Sequence, residues 1–226
     1  TAYLSAMTDV LERRDGVLDK YIGDQIMAFW GAPNVQPLHA LLACETALDM
    51  VARLSILNQS WSSRGLPVLS MGIGVNTGIV SVGNFGSDTR FNYTVIGDPV
   101  NVCSRLQELN KRYGTRVLIT ASTYQAVRSA VVARYVDEVG IRGKSDSTAI
   151  YELLGRESDR SGLASFLIAW DTAIDLYQQQ EWGLAADAFS RVLELRSNDA
   201  LAGLYVSRCA DRYPTERLLA LEPSTE

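Results

Sequence analysis

The spacing of hydrophobic positions changes several times along the chain, and each change predicts a new element of secondary structure. Apolar side chains recur at helical spacing over residues 2–14, over about Pro37–Ser62 and in the segment that follows Asp98. Between these helices, short runs of strand-type composition predict a hairpin over residues 17–30 and several further strands. The further strands are expected at Leu69–Val75, Ile79–Val82, Phe91–Ile96, Arg116–Thr120, Val132–Ile141 and Ala149–Leu154, with a small helix at Ser122–Ala130.

Glycine-containing turns separate these elements and suggest how the strands pair. Asn76-Thr77-Gly78 predicts a hairpin between the strands on either side of it, and the polar segment Gly83–Arg90 is suited to a mobile arm. Gly114 predicts the end of the third helix. Because helices and strands alternate without a repeated βαβ unit, we expect an α+β fold with helices on a mainly antiparallel sheet.

A different pattern begins after residue 154. Gly155–Gly162 is charged and flexible enough to be a linker, and apolar positions then recur at helical spacing in 163–226. The spacing of Tyr177, Trp182 and Phe189 is similar to that of a tetratricopeptide repeat. One such repeat cannot bury its own apolar face, so we expect this helical tail to pack on the first domain, on a second copy or on a missing partner. Structural packing is favoured over peptide recognition.

The third predicted helix has two chemically different faces. Asp98 followed by Pro99 predicts an N-cap and a first helical residue. Asn101 and Arg105 are one turn apart, so one surface presents both an amide and a guanidinium, although on most surface helices such a pair is only solvated. The apolar stripe on the other side consists of Val102, Leu106 and Leu109.

The early hairpin carries two further polar side chains, Lys20 and Asp24, and Asp24 follows Gly23 at the tip. A glycine beside an acidic residue is most often ordinary turn chemistry. Together with Asn101 and Arg105, however, these residues suggest a site for a polyphosphate and a metal ion.

Composition and charge restrict the classes of partner. The 226 residues include 26 acidic and 21 basic side chains, and the net charge of −5 argues against a nucleic-acid polymer as partner. A single nucleotide needs only a local cluster of cations and is not excluded. No apolar run approaches the roughly 20 residues that a membrane span requires, so we expect no membrane contact within this chain.

The cysteines and the histidine offer no catalytic or metal-binding constellation. Cys44, Cys103 and Cys209 are odd in number and far apart, which excludes a disulfide framework and a CxxC metal site. We expect them to be buried thiols in a reducing compartment. His39 is expected at a helix start, in a surface or capping role.

Three long segments resemble consecutive motifs of one family. These segments are LDKYIGDQIMAFWGAP, MGIGVNTGIVSVGNFGS and YTVIGDPVNVCSRLQELNKRYG, and they are similar to the class III nucleotidyl cyclase catalytic domain in order and separation. The resemblance covers about residues 1–154, followed by the linker over 155–162 and the helical tail over 163–226. It implies a ferredoxin-like cyclase fold, two copies of which pair head to tail with the active sites between them.

The resemblance also implies a reaction and a role for each candidate residue. In an adenylate cyclase, the ribose 3′-hydroxyl of ATP attacks the α-phosphorus, which releases pyrophosphate and leaves 3′,5′-cyclic AMP, with two divalent ions, Mg²⁺ or Mn²⁺, assisting. Asp24 matches a metal-binding carboxylate, Asn101 the residue that orients the ribose, and Arg105 the residue that stabilises charge on the α-phosphoryl group. Lys20 and Thr94 match the base-reading pair. In the family Asp24 of one subunit works with the other residues of its partner, so a homodimer is implied.

The base-reading pair favours ATP over GTP. Lys20 would donate to adenine N1, whereas guanine presents an N–H at that position, and guanylate-specific relatives carry an acidic residue there. Thr94 decides less, because a hydroxyl can donate or accept. Lys144 matches a basic residue that contacts the triphosphate, although a Gly-Lys-Ser turn is more often a solvated loop.

One part of the family pattern has no counterpart. The family's first strand, with its own metal-binding aspartate, corresponds to a position upstream of Thr1, so we expect an N-terminally truncated piece whose sheet lacks one strand. The alternative is a non-catalytic cyclase-like module that dimerises or senses nucleotide. A diguanylate cyclase is disfavoured because a GGDEF-type hairpin is absent. The resemblance implies a cytoplasmic location, with an upstream regulator such as a membrane-anchored sensor to which the missing region would tether the domain.

Overall fold

The computed structural model describes residues 2–87, 90–140 and 147–211. Its helices and strands follow in the order α1 (Ala2–Glu12), β1 (Val17–Ile22), β2 (Gln25–Phe29), α2 (His39–Ser62), β3 (Ile73–Val75), β4 (Ser81–Ser87), β5 (Arg90–Ile96), α3 (Asp98–Tyr113), β6 (Val117–Thr120), α4 (Ala121–Val127), β7 (Val131–Gly140), β8 (Ser147–Arg156), α5 (Arg160–Gln178), α6 (Trp182–Leu195) and α7 (Ala200–Asp211). Within the described ranges, none of the helices is both long enough and apolar enough to span a lipid bilayer.

The central sheet has the strand order β3-β6-β8-β7. β3 is parallel to β6, whereas the β6–β8 and β7–β8 pairs are antiparallel. Side chains of a strand alternate between its two faces, and β6 follows this rule. Val117 and Ile119 belong to the core that α2 shares, whereas Leu118 belongs to the core formed with α3 and α5–α7. Helices on both faces of a mainly antiparallel sheet confirm the predicted α+β class.

The predicted hairpin around Asn76 is wrong. β3 pairs with β6 and β4 pairs with β5, so the strands that flank Asn76 do not pair with each other. The Asn76 side chain gives the physical reason, because it donates to the Pro99 carbonyl (2.9 Å) and accepts a hydrogen bond from the Thr120 hydroxyl (2.7 Å). These contacts hold the turn against the start of α3 and the end of β6.

Most of the predicted mobile arm is a regular strand. β4 ends at Ser87, and its residues pair with β5 from Ser81 opposite Ile96 to Ser87 opposite Arg90. Its side chains are mostly exposed, so the strand lacks the apolar and polar alternation by which a half-buried strand is recognised. Residues 88 and 89 of the predicted arm lie outside the described residues.

α3 lies close against β3 because Gly74 has no side chain. A Cβ at Gly74 would come within 2.5 Å of the Cys103 carbonyl oxygen and 2.7 Å of the Gln107 nitrogen. Further along the helix, Asn110 donates from its amide to the Ile73 carbonyl (2.9 Å). These contacts set the position of α3 on the sheet, and therefore the position of its exposed face.

The two ends of α3 differ in how well they were predicted. Gly114 ends the helix in the left-handed region (φ +65°), as predicted. The prediction that Asp98 is the N-cap is wrong, because the helix already includes Asp98 and its N-cap is Gly97, without a side-chain cap hydrogen bond. Asp98 instead places a negative charge in the first turn, where the helix dipole favours it.

The predicted linker belongs to regular structure. Gly155 and Arg156 complete β8, Glu157–Asp159 form a 3₁₀ turn, and α5 begins at Arg160. The chain therefore passes from the sheet into the following helices without an irregular segment.

Helices α5, α6 and α7, here called the helical end, pack on α3 and β7. Trp170 packs edge-on against Phe189 and Tyr205, with ring centroids 5.4 and 5.8 Å away. Leu106 and Leu109 of α3 belong to the same buried cluster. Residues 212–226, the last part of the predicted tail, lie outside the described residues.

Buried ion pairs also join the helical end to the sheet. Arg134 of β7 pairs with Glu152 of β8 (2.6 Å) and with Asp199, which precedes α7 (2.9 Å). Arg208 of α7 pairs with Asp137 of β7 (2.9 Å). Removing one partner of a buried pair leaves an uncompensated charge and costs about 3–5 kcal/mol. These pairs therefore oppose any separation of the helical end from β7.

Candidate active site

Asp24 lies at the tip of the β1–β2 hairpin. Ile22 and Gln25 pair across a two-residue turn in which Gly23 has φ +63°, a conformation that glycine adopts without strain. Asp24 is exposed, and its charge reaches α1: burial raises the pKa of Tyr3, and the nearby Asp24 carboxylate raises it further. Within the described ranges, no three His, Cys, Asp or Glu side chains form a group that could hold a metal ion. Asp24 is thus available as a single carboxylate ligand.

Lys20 and Thr94 meet, although they are 74 positions apart in the chain. Lys20 lies on β1 and Thr94 on β5, and the Lys20 Nζ donates to Thr94 Oγ1 at 3.3 Å. Thr94 is buried, whereas the side chain of Lys20 is 42% exposed. The structure therefore brings together the two residues predicted to read the base, where one hairpin packs on the other.

Asp19 is a third member of this cluster and was not predicted from the sequence. Its side chain is fully buried, at 0% exposure, and Oδ1 lies 3.2 Å from Lys20 Nζ. Asp19 Oδ2 accepts a hydrogen bond from the Thr94 hydroxyl and a longer one, at 3.4 Å, from the Val95 backbone N–H. One buried carboxylate thus touches both members of the base-reading pair.

A β-bulge explains why Asp19 and Lys20 reach the same partner. Leu18 pairs with Ala28 and Lys20 pairs with Met27, so Asp19 has no partner of its own on β2. In a regular strand adjacent side chains point to opposite faces, which would separate Asp19 from Lys20. The sequence has no feature that announces the bulge, because LDKY is also compatible with a regular strand. Sequence reasoning therefore had no basis for selecting Asp19.

Asn101 and Arg105 lie one turn apart on α3, as predicted. Asn101 is exposed and Arg105 is half-buried, while Leu106 and Leu109 are buried on the opposite side of the helix. Among the residues that the structure describes, neither Asn101 nor Arg105 makes a hydrogen bond or an ion pair with Lys20, Thr94 or Asp24. The single chain therefore presents two separate polar groups, the hairpin cluster and the face of α3.

The predicted phosphate contact Lys144 lies outside the described residues, as does Arg142. Its role remains a prediction. β7 and β8, which precede and follow residues 141–146, are antiparallel neighbours with Gly140 opposite Ser147, as the predicted strand pair required.

A family model described as the adenylate and guanylate cyclase catalytic domain matches residues 2–155. The chain belongs to this family. The terminal-differentiation specific adenylate cyclase of Dictyostelium discoideum is 32% identical over 225 residues, which cover 97% of this chain and 10% of that protein. The chain thus spans about a tenth of the length of this curated relative.

Solved structures of the cyclase family are similar in fold. The adenylyl cyclase CyaB from P. aeruginosa superposes with a TM-score of 0.62 at 31% identity, covering 68% of this chain and 79% of that one. The guanylyl cyclase Cya2 superposes with a TM-score of 0.61 at 34% identity, covering 68% of this chain and 77% of that one. Because an adenylyl and a guanylyl cyclase are about equally similar, overall similarity does not select a nucleotide. The choice between the two nucleotides therefore depends on the residues predicted to read the base.

Proposed function

We propose that this cyclase-family chain is an adenylate cyclase that produces cyclic AMP for intracellular signalling. The ribose 3′-oxygen of ATP would form a bond to the α-phosphorus, the bond from that phosphorus to the β-phosphate oxygen would break, and pyrophosphate would leave. The proton of the 3′-hydroxyl is released in the same reaction. The products are 3′,5′-cyclic AMP and pyrophosphate.

The contact between Lys20 and Thr94 is the observation that carries this proposal. The two side chains are 3.3 Å apart on two different hairpins, and Lys20 retains enough exposure to reach a ligand. An ammonium has only donors, which suit the acceptor N1 of adenine and oppose the N1–H of guanine. A site built on substrate hydrogen bonds can discriminate by roughly 10⁴- to 10⁵-fold.

Asn101 and Arg105 are proposed to act on the ribose and the phosphates. Arg105 would stabilise negative charge that develops on the α-phosphoryl oxygens, and Asn101 would orient the ribose. A donor of this kind contributes on the order of 10²- to 10³-fold in rate when it is held in position before the reaction. α3 supplies that rigidity through its close packing on Gly74. Lys144 is proposed to contact the triphosphate.

Two divalent ions, Mg²⁺ or Mn²⁺, belong to this proposal. Magnesium in such sites is usually held by one or two carboxylates together with substrate phosphates, and the exposed Asp24 fits as one of these ligands. The described residues do not supply the remaining ligands as a group of three. When bound, the ions would activate the attacking oxygen and neutralise the leaving phosphates.

A homodimer is proposed as the active form, because the hairpin cluster and Asp24 would each need a partner's groups to complete a site. The exposed apolar side chains of the two hairpins offer a surface for such pairing. They are Tyr21, Ile22, Val82, Phe85, Phe91, Tyr93 and Ile96.

The helical end is proposed to be tetratricopeptide-like in sequence and structural in role. Its aromatic cluster is already covered by α3 and β7, which leaves little of its apolar face for a peptide ligand. A cytoplasmic location is proposed with the signalling role, and ATP is the proposed small-molecule partner.

Product analysis of the full-length gene product with ATP and with GTP tests the proposed function. We expect cyclic AMP to form in the presence of Mg²⁺ or Mn²⁺. The value of kcat/KM for ATP should be much larger than the value for GTP. Lys20→Glu should remove that preference, because a carboxylate accepts from guanine N1–H. Lys111→Glu, at an exposed lysine of α3, is the matched control and should leave the preference for ATP over GTP unchanged. Absence of any cyclic nucleotide would instead favour the non-catalytic nucleotide-sensing module.

A further inference from the structure

We propose that Asp19 is a positioning residue that sets the preference for adenine by fixing the direction of the Thr94 hydroxyl. This inference rests on the proposed function and deepens it, since it concerns how the same site reads the base. The side chain of Asp19 is fully buried, so its carboxylate cannot touch a nucleotide. It therefore acts through Thr94.

The hydrogen-bonding chemistry of the three side chains allows only one arrangement of protons. The Lys20 ammonium can only donate, and the Asp19 carboxylate oxygen accepts from the Thr94 hydroxyl. Thr94 Oγ1 lies between them, 3.3 Å from Lys20 Nζ and in hydrogen-bond contact with Asp19 Oδ2. Its hydroxyl proton must therefore be directed at Asp19, while its oxygen accepts from Lys20.

This arrangement removes the ambiguity of a threonine in a base-reading position. Thr94 Oγ1 has two lone pairs, and with one of them facing Lys20 the other is free to accept from a ligand. Adenine carries an amino group, a donor, at position 6, whereas guanine carries a carbonyl oxygen, an acceptor, at the same position. A hydroxyl held as an acceptor matches adenine and opposes guanine, in agreement with the donor that Lys20 offers to N1.

The bulge at Asp19 makes the arrangement possible. Without it, Asp19 and Lys20 would point to opposite faces of β1, and the buried carboxylate could not lie beneath both Lys20 and Thr94. The Val95 N–H, at 3.4 Å from Asp19 Oδ2, further holds the carboxylate on β5. Bulges often redirect a side chain beside an active site, and here the redirected side chain is the one that orients Thr94.

Asp19 also joins the two hairpins, so the test has to separate orientation of Thr94 from loss of packing. Asp19→Asn keeps the shape but offers an amide N–H₂ that can donate to Thr94, which releases the hydroxyl proton toward the base. Thr94→Val keeps the shape of Thr94 and removes its acceptor. Phe29→Leu weakens a different contact between the hairpins, the one between Phe29 and Tyr93 (centroids 6.1 Å apart), without changing hydrogen-bond polarity.

The measurement is the ratio of kcat/KM for ATP to that for GTP in the full-length gene product and in these variants. The dissociation constants of 3′-deoxy-ATP and 3′-deoxy-GTP, which lack the attacking hydroxyl, are measured in parallel. We expect Asp19→Asn to lower the ATP-to-GTP ratio by about ten- to a hundredfold, which is the effect of mispairing one polar group. Thr94→Val should lower it comparably, the double variant should be no lower than Thr94→Val alone, and Phe29→Leu should leave the ratio unchanged.

The possible results separate this inference from the proposed function. An unchanged ratio in Asp19→Asn, or an equal further loss when Asp19→Asn is added to Thr94→Val, would overturn the inference while leaving the cyclase activity in place. If the wild-type protein cyclises neither nucleotide, the proposed function fails. The dissociation constants of 3′-deoxy-ATP and 3′-deoxy-GTP then test the role of Asp19. A binding preference for adenine that Asp19→Asn reduces would then support the role of Asp19, and no preference would overturn it.

Discussion

The two faces of α3 lie in opposite environments. One face exposes Asn101 and leaves Arg105 half-buried, and within the described part of the chain these residues make no hydrogen bond or ion pair with the hairpin cluster. The other face buries Leu106, Leu109 and Tyr113 against the helical end, where aromatic rings and buried ion pairs surround them. A single helix thus belongs both to the proposed active site and to the core.

The difference between the faces separates stability from chemistry. Side chains on the buried face have many neighbours, so their removal leaves cavities or unpaired charges. Side chains on the exposed face have few neighbours, so their removal affects the fold little and the proposed reaction strongly. Substitutions on the two faces should therefore change different measured quantities.

The largest expected effect on stability is at Trp170, in the helical end. Trp170 is fully buried, and its indole N–H donates to the Tyr135 carbonyl at 2.9 Å. Trp170→Ala should lower the free energy of unfolding by about 3–5 kcal/mol, because it leaves a cavity and an unpaired carbonyl. Urea denaturation measures this. Ile168→Ala, at a 68% exposed position on the same helix, is the control and should change stability by about 0.5 kcal/mol or less. A decrease in the free energy of unfolding of similar size in both variants would contradict the conclusion that the helical end is tightly packed around Trp170.

Arg105→Ala tests the exposed face. We expect kcat to fall by about 10²- to 10³-fold through loss of the proposed charge stabilisation. The free energy of unfolding should stay within about 0.5 kcal/mol of wild type, since Arg105 is outside the core. Glu108→Ala, at an exposed position three residues further along α3, is the control. It should leave both kcat and the free energy of unfolding unchanged. Wild-type turnover in purified Arg105→Ala would remove Arg105 from the mechanism.

Mixing two inactive variants asks whether the exposed groups of one copy work with those of another. Asp24→Ala and Arg105→Ala disable different halves of a shared site, so a mixed dimer would keep one intact site. With random pairing of equal amounts, recovery of about a quarter of wild-type activity is expected. Each variant alone stays inactive as the control. Mixed dimers that form, as native mass spectrometry would show, but remain inactive would argue against shared sites.

The smallest expected effect concerns ion pairs at the surface, in contrast to the buried pairs of the helical end. Asp49 is one third exposed and pairs with Arg14 (2.8 Å) and Arg156 (2.6 Å). Desolvation raises the pKa of Asp49, but its hydrogen bonds and charge interactions with the two arginines outweigh that effect and lower the pKa below its usual value. A depressed pKa in the folded state contributes stability above the unfolded-state pKa of about 3.9, and this contribution is lost as the pH falls below it.

Asp49→Asn should therefore lower the free energy of unfolding by up to about 1 kcal/mol at pH 7, and by less at pH 3. Urea denaturation at the two pH values measures the difference. Asp187→Asn, at an exposed position on α6, should show a smaller effect at pH 7. A destabilisation by Asp49→Asn that is equal at both pH values would contradict the assigned role of the carboxylate charge.

Local features of the molecule were predictable from the chain. The polar and apolar faces of α3 follow from a spacing of three to four residues, and Gly114 ends the helix for a reason confined to its own backbone. The hairpin tip at Asp24 follows from turn chemistry in the same way. The meeting of Lys20 with Thr94 was expected only through resemblance to the cyclase family, because no local rule joins residues so far apart.

The wrong predictions share a cause. Asn76 has the sequence of a hairpin turn, but its side chain binds Pro99 and Thr120, which are distant in the chain. Gly155–Gly162 has the composition of a linker, but Gly155 and Arg156 continue β8 because that strand pairs with β7, and a 3₁₀ turn and the start of α5 follow directly. In each case a long-range contact overrode a local preference.

By itself, the sequence determined most of the helices and strands and which side of α3 is polar, because these depend on the order of neighbouring residues. Only the tertiary structure decided that Asp19 lies beneath Lys20 and Thr94. One unpaired residue in β1 changes the face to which a side chain points, and its position depends on how β1 and β2 pair and on how both pack against β5.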